Sequence, residues 1–337
     1  NDLDLDLLGL EAILEFHGYN IDLVLNKAVD GASAPVAKLD WSAFGVSGVG
    51  YTGLDIDAEL AALNATTLGN VTASVDLAAK GGVALDVLDG ILVAKGDFTI
   101  KLGQVQNGAS LALPTAAQDA DTMVLSLTNV AVFIGVNGAL DNSATPSDWS
   151  DAVVVNGTLG FGATLSGLTL VTIKDLGANM APTFTADDTS YLALALNDLD
   201  LDLLGLEAIL EFHGYNIDLV LNKAVDGASA PVTKLDWSAF GVSGVGYTGL
   251  DIDAELAALN ATTLGNVTAS VDLAAKGGVA LNVLDGILVA KGDFTIKLGQ
   301  VQNGASLALP TAAQDADTMV LSLTNVQVFI GVNGALD

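Results

Sequence analysis

Apolar and polar residues alternate along most of the chain. Leu3, Leu5 and Leu7 are interleaved with Asp2, Asp4 and Asp6, and Phe98, Ile100 and Leu102 with Asp97, Thr99 and Lys101. A period of two is that of a half-buried β-strand, so the pattern predicts many short strands and an all-β chain. The phase of the alternation changes at defined places. Leu192, Leu194 and Leu196 give way to Leu199, Leu201 and Leu203 across Asn197-Asp198, and Met123, Leu125 and Leu127 to Val130, Val132 and Ile134 across Thr128-Asn129. The same two-residue step falls at Leu8-Gly9 and at His17-Gly18.

Each step reads as a corner that keeps the apolar side inward. It is either the tight hairpin of an antiparallel meander or the bend between two sides of a solenoid coil, and the Asn, Asp and Gly residues there suit both. Runs of five to seven residues joined by such corners sum to coils of roughly 20–25 residues. The expected architecture is therefore an elongated, β-solenoid-like repeat array, with tandem β-sandwich domains as the alternative. At ~4.8 Å per coil the rod would be about 70 Å long. A single short helix is expected over Asp55–Leu63, and loops over Asp30–Pro35, Pro114–Thr122, Asp141–Ser150 and Asn179–Thr189.

The chain also repeats itself. Residues 1–141 return as 197–337 with three differences, Ala37→Thr233, Asp86→Asn282 and Ala131→Gln327. Residues 1–196 thus form one full repeat and 197–337 a second, truncated one. Self-similarity at a fixed period marks an array whose units pack on their neighbours. Asn1 matches Asn197, which sits within a continuous patterned run, so the expectation is a window cut from a longer polymer.

Charge narrows the partners. The chain carries 40 Asp and Glu against 11 Lys, no Arg, and a net charge of −29. Nucleic acid and anionic membrane need clustered basic residues and are excluded as electrostatic partners; cations are invited. The absence of Cys removes disulfides, zinc-thiolate sites and thiol nucleophiles. The uncharged stretch Ala152–Ile173 is long enough to span a membrane as a helix. Its Gly, Thr and β-branched residues read as strands instead, so no transmembrane segment is expected.

Catalytic chemistry is thinly represented. The two histidines, His17 and His213, lie beside Glu15 and Glu211 at Gly-containing steps and read as corner residues in partial solvent. No Gly-x-Ser-x-Gly elbow occurs, and Gly45–Gly50 and Gly157–Gly162 lack the Lys or helix start of a phosphate cradle. No catalytic or cofactor-binding residue is assigned. Calcium is the one ligand the sequence invites, because its oxygen ligands are supplied by closely spaced loop carboxylates: Asp119 with Asp121, Asp148 with Asp151, and Asp187 with Asp188.

Taken over Leu125–Gly138, Thr158–Gly162 and Ser190–Leu194, the chain resembles the long tandem repeats of giant bacterial secreted and cell-surface proteins of the adhesin-like, hemolysin-type kind. The resemblance implies an extracellular or cell-surface location, a stalk or filament role, and calcium dependence. The Gly-Gly-x-Gly-x-Asp nonapeptides of the repeat-in-toxin family are absent, so no nonapeptide calcium site carries over. The expected function is a non-enzymatic structural repeat segment serving adhesion or surface coating, its partners being neighbouring repeats of the same polypeptide and other copies of the filament. A carbohydrate-active β-helix enzyme and a lipid-handling protein with an apolar β-groove are the alternatives.

Overall fold

A computed structural model describes residues 3–7, 13–32, 36–39, 73, 75–105, 120–146, 148–175, 187–235, 237, 268–301 and 316–336. The expected helix over Asp55–Leu63 and Asp119 lie outside them. Among the described residues the secondary structure is β-strand, with 3-10 geometry at Trp149–Asp151 and at Trp237. The strands are β1 (Leu3–Asp6), β2 (Leu14–Leu25), β3 (Val75–Val87), β4 (Leu92–Val105), β5 (Ala120–Val136), β6 (Ala139–Asp141), β7 (Val153–Val155), β8 (Leu159–Asp175), β9 (Thr189–Leu204), β10 (Leu210–Asp226), β11 (Val271–Val283), β12 (Leu288–Val301) and β13 (Ala316–Ile330).

Eleven of these form one open antiparallel sheet in chain order, β1 to β5 followed by β8 to β13, while β6 and β7 make a small hairpin of their own. The chain is all-β as expected, but in place of stacked coils each long strand pairs with its neighbours in sequence. Strand lengths explain the difference. Three of the four phase steps lie inside strands: His17-Gly18 in β2, Thr128-Asn129 in β5 and Asn197-Asp198 in β9. There Asn20, Asn129 and Asp198 take left-handed backbone angles of 53°, 53° and 55°, and the pairing slips by a residue, as between Tyr19 and Asp22 on β2. A β-bulge inserts one extra residue, so apolar side chains continue on the same face with their parity exchanged. A bulge and a hairpin corner thus leave the same mark in a sequence. The fourth step, Leu8-Gly9, lies outside the described residues; its copy Leu204-Gly205 opens the turn connecting β9 to β10. The expected loops also shrink, because β5 already begins at Ala120 and β9 at Thr189.

Where the unbulged strands cross the line of bulges they carry glycine. A Cβ on Gly81 would lie 2.9 Å from Ile21 Cγ1 of the bulge beside it, and one on Gly277 2.7 Å from Ile217 Cγ1. The extra residue occupies the space that a side chain on the neighbouring strand would need.

Direct cross-strand partners share a face, which makes the sheet's two sides easy to follow. The row Leu23, Ala79, Ile100, Leu125, Leu170, Leu194 meets Leu221 on β10. Beyond the bulges, Phe16, Leu85, Ala94, Val132, Ala163 and Leu201 meet Gly214. Leu221 and Gly214 are the copies of Leu25 and Gly18, so each period displaces the register by two residues. This side is a nearly unbroken aliphatic surface, here called the leucine face.

The other side carries most of the charged residues, Asp121, Lys174 and Lys223 at strand ends of the leucine face being exceptions, and, at the end of the sheet formed by β5, β8, β9 and β10, the tightest packing. Val124, Val171, Ile173, Ala193, Ala195 and Val220 gather with Leu235 and Trp237, the Trp237 ring being fully buried. Trp237 Nε1 donates to Asn222 Oδ1 at 2.9 Å, and Asn222 Nδ2 donates to the Leu235 carbonyl at 3.0 Å, so the buried amide is satisfied. On β9 it is Tyr191, Ala193 and Ala195 that are buried, while Leu192, Leu194 and Leu196 are half-buried on the leucine face. The larger apolar residues therefore do not mark the closed core.

The three differences between copies fall on or near the polar side. Asp86 Oδ1 accepts the Gly90 N–H at 2.6 Å and Asn282 Oδ1 the Gly286 N–H at 2.7 Å, so both residues hold the same β-turn. Asp86 stands directly across from Glu15, whereas Asn282 Nδ2 donates to Glu211 Oε2 at 3.3 Å, replacing a like-charge pair with a hydrogen bond. Gln327 stands across from Lys291 as Ala131 does from Lys95. Thr233 lies in the wall of a cleft of about 790 Å³ beside Lys223 and Lys234, and nothing in the structure explains its change from Ala37.

Candidate functional site

The polar side of β1 and β2 holds the densest constellation of functional groups. Asp6 and His17 are direct partners across the strand pair, and Glu15 is two residues from His17 on the same face. His17 Nδ1 lies 2.7 Å from Asp6 Oδ1 and Nε2 2.9 Å from Glu15 Oε1. The indole of Trp149 stacks on the imidazole with centroids 3.4 Å apart and planes within 10°. The hairpin that brings Trp149 is anchored beside it: Lys95 Nζ donates to the Ser150 carbonyl at 2.6 Å, and Gly138 N–H donates to the Gly90 carbonyl at 2.9 Å.

The second copy repeats the arrangement without the stacked ring. His213 Nδ1 is 2.6 Å from Asp202 and Nε2 3.1 Å from Glu211, with 40% of the side chain exposed against 11% for His17. The Asp202 hydrogen bond, with help from Glu211 and against partial burial, raises the His213 pKa. An imidazole donating from both nitrogens is an imidazolium, fixed between two carboxylates. With both nitrogens engaged it offers neither a base to a substrate nor a lone pair to a metal.

Several of the other described acids are likewise occupied. Asp4 and Asp200 accept the N–H groups of the bulge residues Asn20 and Asn216 at 3.1 and 2.8 Å. Asp218 accepts the Asp198 N–H at 2.9 Å, and Asp198 accepts the Ser166 hydroxyl at 2.8 Å. Asp97 accepts from Asn129 Nδ2 at 2.8 Å and from the Tyr19 hydroxyl at 3.4 Å. Burial first, then the Asp97 charge, pushes the Tyr19 phenol well above its ordinary pKa.

Of the expected calcium ligands, all but Asp119 fall on described residues. Asp121 is exposed on β5, directly across from Lys174. Asp148 and Asp151 sit on the 3-10 turn, where Asp148 Oδ1 caps the Ser150 N–H at 2.9 Å; hydrogen bonding from the Ser150 side chain, then from its backbone N–H, holds the Asp148 carboxyl below its usual range. Asp187 is exposed; Asp188 is buried, and its carbonyl accepts the Gly227 N–H at 3.0 Å. Among the described residues no three His, Asp or Glu side chains gather in a metal-binding group. Sequence reasoning singled out His17 and Glu15 but missed Asp6 and Trp149. The Asp ladder of β1 was the available signal for Asp6, whereas Trp149 lies 132 positions on and gave none. No family model matches the chain, and neither a curated protein nor a solved structure shows similarity to it.

Proposed function

We propose that the chain is a non-enzymatic structural segment of a giant extracellular bacterial protein, a stalk or filament for adhesion or surface coating. In it, successive periods extend one antiparallel sheet sideways, so the elongated array grows by adding strands rather than coils. The observation that carries this reading is β9. Its first half, Thr189–Leu196, closes one period and its second half, Asn197–Leu204, opens the next, within a single strand paired on both sides. No linker separates the repeats at that junction. β13 is the copy of β5, whose outer edge takes β8, so the same pairing continues onto the next period, and neighbouring repeats are each other's principal partners. The doubly bonded histidines and the capped carboxylates support a structural role over catalysis.

Length measured against repeat number tests this. Each period contributes six strands to the sheet, so chains of one, two and three periods should lengthen in small-angle scattering by roughly 29 Å per period at ~4.8 Å per strand. Stacked coils of 20–25 residues would add about 40 Å. Separate domains joined by hinges would show no fixed increment, and that result would refute the continuous sheet.

A further inference from the structure

The leucine face lacks a cover among the described elements. Those that pack across the main sheet are the β6–β7 hairpin and the Trp149 turn, against Phe133, Val93 and His17, together with Leu235 and Trp237, and all lie on the polar side. On strands well inside the sheet, Ile134 is 55% and Phe161 47% exposed on the leucine face. A contiguous apolar surface of more than a few hundred Å² marks an interaction site.

We propose that this face is an interface between two copies of the chain, packed leucine face to leucine face. Three features favour a second copy. Eleven strands of about 12 residues make a face on the order of 50 by 40 Å, roughly 2,000 Å², whereas a stable interface needs about 800 Å² from each partner. Between the ends of the strands the rows through Leu125, Leu170 and Leu194 contain no charged side chain, so two chains of net charge −29 keep most of their acids on the outer surfaces, and Asp121 at the margin of this face stands across from Lys174. A bilayer-facing sheet carries Tyr and Trp at its margins; here every described Tyr and Trp, namely Tyr19, Tyr191, Tyr215, Trp149 and Trp237, lies on the polar side. Two such faces pack about 10 Å apart as a β-sandwich core, related by a two-fold axis. The proposal goes beyond the lateral growth of the array, which uses sheet edges.

Because the chain has no Cys, single substitutions report each face directly. Phe161→Cys lies on the leucine face and Thr164→Cys on the exposed polar face. Sedimentation equilibrium of the 337-residue chain should give twice the 34.0 kDa monomer mass at micromolar concentration. Maleimide labelling of Phe161→Cys should slow by an order of magnitude or more relative to a dilute sample, while Thr164→Cys labels rapidly in both. Rapid labelling at both positions in an oligomer means association through sheet edges, which overturns the face-to-face interface and leaves the array intact. A monomer at all concentrations, or a monomer that co-purifies with lipid in organic extracts, also overturns it. Leu170→Glu should abolish the dimer, with far-UV circular dichroism showing that the fold is retained; if Leu170→Glu unfolds the chain, the labelling contrast decides alone.

Discussion

The backbone N–H of Asn216 donates to the carboxylate of Asp200 on the adjoining strand at 2.8 Å, and Asn20 donates to Asp4 in the same way at 3.1 Å. The bulge frees an N–H that the ladder would otherwise use, and the Asp one strand over accepts it. The alternating Asp-Leu-Asp-Leu-Asp run is thus a set of caps, with Asp200 serving Asn216 and Asp202 serving His213.

Asp200→Ala should therefore cost about 1 kcal/mol, the value of a capped N–H at a partly exposed site. Asp200→Asn keeps an acceptor and should cost less. Urea midpoints at constant m-value measure both; equal stability for wild type and Asp200→Ala would show that water serves the bulge as well.

A second relationship repeats in both copies. The ring of Tyr215 lies where a side chain on Gly278 would be, 2.1 Å from its ideal Cβ, as Tyr19 does over Gly82. Gly278→Ala should destabilise by roughly 1–3 kcal/mol through overpacking. In a Tyr215→Ala background most of that cost should vanish, giving a coupling energy in the double-mutant cycle. Additive losses would mean that the glycine serves the backbone and not the ring.

The all-β class was legible because alternation with a period of two survives any arrangement of strands. The sheet's topology was not, because Asn197-Asp198 inside β9 and Leu204-Gly205 after it leave the same two-residue step. Face assignment failed for a related reason: Leu192, Leu194 and Leu196 looked like the core, yet small Ala193 and Ala195 pack more tightly under Trp237. At the candidate site, His17 and Glu15 were visible as neighbours in sequence. The stacking of Trp149 depends on a hairpin folding back over β2, a tertiary event with no local pattern.

The second-copy histidine gives a pH signature. Its hydrogen bond to Asp202 raises the folded-state pKa above the unfolded value, so its stabilisation is complete below about pH 6.5 and is lost as pH rises through the folded pKa. With 40% of the side chain exposed, screening keeps the effect small. The imidazole carbon resonances should titrate above the free-histidine value, and His213→Gln should flatten the pH dependence of stability across that window. A resonance titrating at or below the free value would break the imidazolium assignment.

Calcium is the remaining expectation of function, and the electrostatics state why it should matter. A net charge of −29 resists compaction, and a divalent ion bound only by the folded chain raises its apparent stability. The described carboxylates are spread: Asp148 is committed to Ser150 and Asp121 faces Lys174, so any response comes from loop acids rearranging around the ion rather than from a preformed cage. Flexible oxygen ligands of that kind favour Ca²⁺ over the stricter octahedral Mg²⁺. We expect a higher melting temperature in millimolar Ca²⁺ than in chelator at matched ionic strength, with a weaker Mg²⁺ effect. The rise should diminish when Asp148 and Asp151 are both changed to Asn. Coincident melting curves in calcium and chelator would reduce these acids to solvated turn caps.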